Sequence, residues 1–331
     1  MKSILLLLVL TPTLAACATQ AVSTLLPRDN SSTALTVLPS NHAFEDKQIN
    51  RSNVGELVEA WRFRSGEDQL MNELRTAAQS TPLLLPEVAG AALVYCTAFD
   101  QVIALDPANG EPRWRFNPHS EAQLREGADR GRAHRCRGVS YLEEQRVDKG
   151  QTCRHRLFLA TSNRALWALD ALTGEPCKSF GNAGQRPLPG SDQPIGQVSS
   201  SSPVAVAADR IVVGSAVVDF ELAQAPRGTV ASYDSHSGEL LWQFDPLQGQ
   251  PHSGGANVWA GITINKAHQL IILPTGAPSP DYYGGARLGD NRHANSLVAL
   301  DLISGEVRWA FQHVHHDLWD FDSPAQPILF N

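Results

Sequence analysis

A short segment that recurs four times constrains this chain more than any other feature, because repetition at a long, nearly fixed period calls for a repeat architecture. Residues 102–114 read VIALDPANGEPRW, 166–174 read LWALDALTG, 230–242 read VASYDSHSGELLW and 297–309 read LVALDLISGEVRW. The aspartates Asp106, Asp170, Asp234 and Asp301 stand 64, 64 and 67 residues apart. Alternating apolar residues make a strand. The Asp-x-x-x-Gly stretch makes a tight turn with glycine at its permissive position, and a second strand runs on toward tryptophan. The second copy carries Lys178 where the others place tryptophan, and a degenerate fifth copy stands at Ala60 and Trp61.

Other strand-like runs, such as RIVVG from Arg210 and LIILP from Leu270, lie upstream of the copies. Several short strands per repeat, with no helical periodicity, predict an all-β fold built of β-propeller blades. A tandem of β-sandwiches is the other arrangement such strands allow. The period exceeds the usual blade of about 40–50 residues, so each blade should carry a long loop on one face, where sites are commonly built. At this period the chain supplies between four and five blades. An open part-ring would leave the sheet faces of its end blades exposed. The sequence stops at ILFN, residues 328–331, within a strand-like run, and reads as a partial propeller.

The net charge of −7 argues against nucleic acid as a partner. At the N-terminus, Lys2 precedes an apolar run from Ile4 to Leu10, too short for a permanent membrane helix and suited to a cleaved signal peptide over residues 1–16. The following LAAC, residues 14–17, resembles a bacterial lipobox, which implies lipidation of Cys17 and a membrane anchor through acyl chains. Residues 17–39 then form the lipidated cysteine and its tether, and 40–331 the propeller. Inner and outer membrane both remain open. Cys96, Cys136, Cys153 and Cys177 show no metal-ligand spacing, so an exported, periplasmic setting points to disulfides. Cys136 and Cys153 are near enough in sequence to staple a hairpin, with the pairing left open.

The repeat resembles the tryptophan-docking motif of the quinoprotein dehydrogenases, whose propellers have eight blades. CRGVSY at 136–141, SSSSP at 199–203, LPTGAPSPDYYGG at 273–285, FQHVHHDLWD at 311–320 and QINRSNVG at 48–55 are similar to the pyrroloquinoline quinone (PQQ) sugar dehydrogenases of the membrane glucose dehydrogenase type. This resemblance implies oxidation of a sugar or polyol hydroxyl, with electrons passed to a membrane quinone or other acceptor. PQQ is a flat ortho-quinone with three carboxylates. It needs cations and donors at its rim, an aromatic face, a Lewis acid at the reactive carbonyl and a base for the substrate proton.

Carried over residue by residue, the resemblance assigns Arg137, His134, Ser200, Ser201 and Trp259 to the cofactor. Asp317 becomes the candidate general base, with Asp320 its rival. Asp219 and Asp317 become candidate ligands of Ca2+, whose hard charge prefers oxygen donors. Relatives often supply an amide oxygen where this chain has Ala277, which cannot ligate through its side chain. A family lysine that contacts the quinone is expected beyond residue 331, so activity of this portion alone stays an open point. A non-catalytic propeller lipoprotein that scaffolds outer-membrane protein assembly is the alternative reading. It leaves the HHDLWD cluster and Trp259 without a purpose.

Overall fold

A computed structural model describes residues 34–35, 49–129 and 134–329. The expected signal peptide, Cys17 and most of the expected tether lie outside the described residues. Four four-stranded antiparallel meanders follow one another along the chain. Blade 1 comprises Leu83–Leu84, Leu93–Cys96, Val102–Leu105 and Pro112–Phe116, and blade 2 comprises Ser140–Glu143, His155–Ala160, Ala165–Asp170 and Gln185–Pro187. Ala34–Leu35 adds a short fifth strand beside Ser140–Glu143. Blade 3 holds Ala205–Ala207, Arg210–Val213, Val230–Asp234 and Leu240–Phe244, and blade 4 holds Thr263–Asn265, Leu270–Pro274, Ser296–Asp301 and Val307–Gln312. The recurring segment is therefore the third strand, the turn and the fourth strand of blades 1, 3 and 4, and the third strand and turn of blade 2.

The turn works as the residue types require. In blade 1 the Asp106 carboxylate accepts from the Ala108 amide at 2.9 Å, and the Gly110 amide returns to the Asp106 carbonyl at 2.8 Å. Asp170, Asp234 and Asp301 repeat the arrangement with Gly174, Gly238 and Gly305. Each of these glycines has positive φ, a region that a side chain disfavours. A second constraint comes from the preceding copy of the motif. A Cβ on Gly110 would stand 2.4 Å from the Trp61 ring, one on Gly174 2.5 Å from Trp114, and one on Gly305 2.6 Å from Trp242. The same indoles donate to the carbonyl just after the turn aspartate: Trp61 to Pro107 at 3.0 Å, Trp114 to Ala171 and Trp242 to Leu302 at 3.2 Å.

The missing tryptophan of the second copy is replaced in two parts. Phe180 lays its ring against the Gly238 turn, and buried Arg156 donates to the Ser235 and His236 carbonyls at 2.8 and 2.9 Å. One side chain thus supplies the ring and another supplies the donor. The degenerate copy at Trp61 forms no strand of its own, yet its indole docks like the others. Trp309, fourth-strand tryptophan of blade 4, is 43% exposed.

Alternation along each strand sorts side chains between neighbouring blades. In blade 2, Leu157, Leu159 and Leu169 join the core with blade 1, whereas Phe158, Ala160, Leu166 and Ala168 join the core with blade 3. A third core joins Val212, Val230 and Trp242 of blade 3 to Ile271, Leu273 and Val298 of blade 4. The outer faces at either end expose Leu84 and Val88 on the blade 1 side and Val307, Trp309 and Phe311 on blade 4.

Two expectations are corrected. The disulfides pair Cys96 with Cys136 and Cys153 with Cys177; Cys136 and Cys153 are not joined. Cys136 pairs in parallel beside Thr76–Ala78 and enters the core with blade 1, while Cys153 enters the core with blade 3. Sequence proximity lost to the division between cores. Short helices also occur, at Asp68–Glu73 and Glu121–Asp129. Both sit in connecting segments, too short for a periodic pattern to register. Among the described residues no helix is long and apolar enough to cross a membrane.

Candidate cofactor and metal site

In a four-stranded antiparallel meander, the loop between strands two and three and the connection leaving strand four emerge at the same end. The Asp-x-x-x-Gly turns occupy the opposite end. Every segment singled out for chemistry falls on the loop end. Arg137 lies between blades 1 and 2, Ser200 and Ser201 between blades 2 and 3, and Trp259 between blades 3 and 4. Asp219 sits inside blade 3, Ala277 and Asp281 inside blade 4, and residues 313–323 follow blade 4. Long loops expected from the long period are these segments.

Arg137 and Trp259 meet directly. The guanidinium lies over the indole, 5.1 Å from the ring centroid, and donates to the Ser201 hydroxyl at 2.6 Å. The Arg137 amide donates to the Ser201 carbonyl at 2.9 Å, which ties the two inter-blade connections together. Burial, and then the charge of Arg135, lower the Arg137 guanidinium to about 10. Among the described residues Arg137 makes no salt bridge. Ser200, also buried, instead receives Arg164 at 2.7 Å, and Arg164 continues to the Pro189 and Gly214 carbonyls. Trp259 donates through Nε1 to Asp322 at 2.8 Å, and its carbonyl accepts from the Ser202 hydroxyl.

A second group is acidic. Ligand atoms of Asp219, Asp281 and Asp320 all lie within 4.8 Å of one another. Desolvation, then the charges of Asp320, Asp281 and Asp322, push the Asp219 carboxyl up to about 7. Burial, then Asp322, Asp281 and Asp317, push Asp320 up to about 6. Asp281 is buried, and its carboxylate accepts from the Phe220 amide at 2.8 Å. Arg287 runs behind this group, yet donates to the Pro280, Asp281 and Asp317 carbonyls and to Asn291 rather than to any carboxylate. The loops are thereby fixed while the carboxylates keep their mutual repulsion. Phe220 and Asp320 both have positive φ, a conformation sparsely adopted away from glycine and concentrated at functional sites.

The remaining candidates stand elsewhere. Asp317 is fully buried, and its carboxylate accepts from Asn295 at 3.0 Å, from the Trp319 amide at 3.0 Å and from the Phe321 amide at 2.8 Å. It shapes the turn that presents Asp320. The neighbouring imidazoles face away from it, His316 toward the Gly289 carbonyl at 2.7 Å and His315 toward Asp290 at 3.7 Å. His134 is buried against the Phe99 ring, its Nε2 3.1 Å from the Leu124 carbonyl. Asp281 and Asp322 were not singled out from sequence. Both lie in or beside quoted motifs, but spacing alone does not reveal which carboxylates of a loop converge.

The model of the β-propeller domain of PQQ glucose/ethanol/alcohol dehydrogenases matches residues 41–331. The chain belongs to this family. Among similar curated proteins, quinoprotein glucose dehydrogenase of Escherichia coli K12 is 34% identical over 302 residues, and quinoprotein glucose dehydrogenase A of Acinetobacter calcoaceticus is 32% identical over 314. Each alignment covers 86% of this chain and 37% of the relative. Quinate/shikimate dehydrogenase (quinone) of Acinetobacter baylyi is 33% identical over 311 residues, covering 85% and 37%. The chain thus spans less than two fifths of the length of these curated relatives. A solved quinohemoprotein alcohol dehydrogenase from Pseudomonas putida HK5 superposes with a TM-score of 0.66 at 23% identity, covering 84% of this chain and 39% of that one. That likeness shows the shared propeller fold.

Proposed function

We propose that this quinoprotein chain binds PQQ and Ca2+ at the loop end of the propeller and serves the oxidation of a sugar or polyol hydroxyl. One juxtaposition carries the reading. A half-buried guanidinium without a carboxylate partner lies on an aromatic face, and at the same end three carboxylates gather with no salt bridge to any of them among the described residues. An unpaired cation and a self-repelling anionic group each call for a ligand of opposite charge. A planar tricarboxylate with an oxygen-coordinating divalent ion supplies both. Membership of the PQQ family and the dehydrogenase relatives support this reading over a non-catalytic scaffold.

In this reading Arg137 and the Ser201 region hold a carboxylate edge of the cofactor, and Trp259 offers its ring as the stacking surface. Arg137 now covers one indole face, so the cofactor either takes the other face or draws the guanidinium to its own rim. Asp219, Asp281 and Asp320 would hold the ion, which acts as a Lewis acid. Asp281 then stands in for the amide oxygen that Ala277 lacks. When bound, the ortho-quinone supplies the acceptor for the hydride leaving the carbinol carbon. Asp320 would offer the ion one carboxylate oxygen and keep the other to take the hydroxyl proton. Asp317 orients the loop through its three accepted hydrogen bonds.

Export fits the same proposal. Two disulfides suit an oxidising compartment, and lipidation at Cys17 would hold the chain at the membrane near a quinone acceptor. The test is to titrate the purified protein with PQQ and Ca2+ while following tryptophan fluorescence, with Trp259→Phe as control, and to assay dye reduction over a panel of sugars and polyols. Quenching lost in the control, and turnover with at least one polyhydroxy substrate, are expected. Absence of Ca2+-dependent PQQ binding would remove the reading.

A further inference from the structure

We infer that Asp322 is a positioning residue that sets the plane of the Trp259 indole. The consequence for the cofactor rests on the reading above, in which Trp259 is the stacking surface. Asp322 receives Trp259 Nε1–H on Oδ2 at 2.8 Å and the Ala277 amide on Oδ1 at 2.8 Å. Both partners are pure donors, so the side chain at this position must present two acceptor oxygens. Asparagine has one oxygen and one NH2 group, and would set a donor against a donor at one of the two contacts. Glutamate carries both oxygens one methylene further out.

The space is made for this carboxylate. A Cβ on Gly276 would lie 2.2 Å from Asp322 Oδ1, far inside contact distance, and the φ of Gly276 is not in the left-handed region. Room, not backbone freedom, is therefore what glycine provides here. The other contacts of the indole come from different parts of the chain. Arg137 covers a face, and Ser202 donates to the Trp259 carbonyl. Among the described residues Asp322 alone grips the polar edge of the ring. It joins the connection between blades 3 and 4 to a loop inside blade 4, from a position after the last strand of that blade. A ring held at its edge and backbone keeps its tilt when a flat ligand slides against it, and preorganisation of that kind favours binding.

The test uses tryptophan labelled with 15N at the indole nitrogen, in the whole chain, with Trp259→Phe to assign the resonance. The wild type should give a downfield Trp259 N–H signal that exchanges slowly with solvent. Asp322→Asn should move it upfield and speed its exchange by about tenfold or more, as expected for loss of a charge-assisted acceptor. Gly276→Ala retains the negative charge but pushes the carboxylate aside, and should produce the same change. Both variants should weaken PQQ binding by about tenfold, the size expected when one buried donor loses its acceptor. Thermal melts identify any variant that fails to fold, and either one suffices for the comparison.

An indole resonance unchanged in a folded variant, or PQQ affinity within twofold of wild type despite a moved resonance, would overturn the inference. So would a wild-type resonance that leaves its carboxylate-bonded position when Ca2+ alone is added, because Asp322 would then serve the ion. If the wild type binds no PQQ at all, the cofactor reading fails, while the resonance still decides whether Asp322 holds the ring.

Discussion

The guanidinium of Arg137 and the indole of Trp259 lie 5.1 Å apart, centre to centroid, although 122 positions of chain and a whole pair of blades separate them. The contact places a cation and an aromatic face together at the loop end of the propeller. These are two of the residues proposed to hold the cofactor.

Arg137→Ala should weaken PQQ binding by about 10- to 100-fold, because a hydrogen bond to a charged group contributes about 1.5–3 kcal/mol. Arg137→Lys should fall between the two, since it keeps the charge but loses the planar fork and the stacking. Fluorescence titration at fixed Ca2+ reads the difference. Equal affinity in Arg137→Ala would remove Arg137 from the site.

Calcium affinity should rise steeply between pH 5 and 8. The Asp219 and Asp320 carboxyls are raised to about 7 and about 6, above the ordinary aspartate value, so below those values the ion must displace protons. The stability of the metal-free protein has the matching sign. A group whose folded pKa exceeds its unfolded one stabilises the fold at low pH, and that contribution is lost as pH rises through the folded value. The contribution of these two carboxyls, read as the melting temperature of the metal-free wild type minus that of Asp219→Asn/Asp320→Asn, should therefore decline from about pH 4 toward pH 7, with Ca2+ restoring wild-type stability at pH 8. Scanning calorimetry with and without Ca2+ checks both. A pH-independent calcium affinity would separate the trio from metal binding.

Asp320→Asn and Asp317→Asn should fail differently. Asp320→Asn removes the proposed proton acceptor but leaves an amide oxygen for the ion, so at saturating Ca2+ turnover of the reconstituted enzyme should drop by about 100-fold or more while PQQ remains bound. Asp317→Asn presents an amide NH2 to a pocket lined by the Asn295 amide and two backbone N–H groups, all donors. It should lower stability by about 1–3 kcal/mol, visible as a reduced urea midpoint. A stable Asp317→Asn protein that binds PQQ yet has lost turnover would make Asp317 the base instead.

Phe180→Ala should destabilise the chain by about 3–5 kcal/mol, the usual result of emptying a buried phenylalanine site. Arg156→Ala should also destabilise it, because the Ser235 and His236 carbonyls lose their guanidinium donor. Denaturant titration of each variant and of the pair should show coupling rather than simple additivity, since both side chains dock onto the same turn. Additive effects would mean that the two do not jointly replace the tryptophan.

The fold was legible because its signal is local and repeated. Each aspartate turn, each positive-φ glycine and each run of alternating apolar residues can be recognised within a few positions, and four copies make accident implausible. Even the irregular second copy announced itself through Lys178, although its remedy did not. Phe180 and Arg156 lie two residues after and 22 residues before that lysine, and nothing short of the packed junction shows that they share one task.

The loop end carried less information. Cys96 and Cys136 pair across 40 residues, and Asp219, Asp281 and Asp320 converge from two blades and the segment beyond them. Local pattern could nominate Arg137, Ser201, Trp259, Asp219 and Asp320, because they sit in motifs. It could not bring in Asp281, set Asp322 against Trp259, or turn Asp317 away toward backbone amides. Strand and turn preferences act over a few residues and are written in order along the chain. Convergence of side chains depends on how neighbouring blades stack, and only the folded chain sums those contacts.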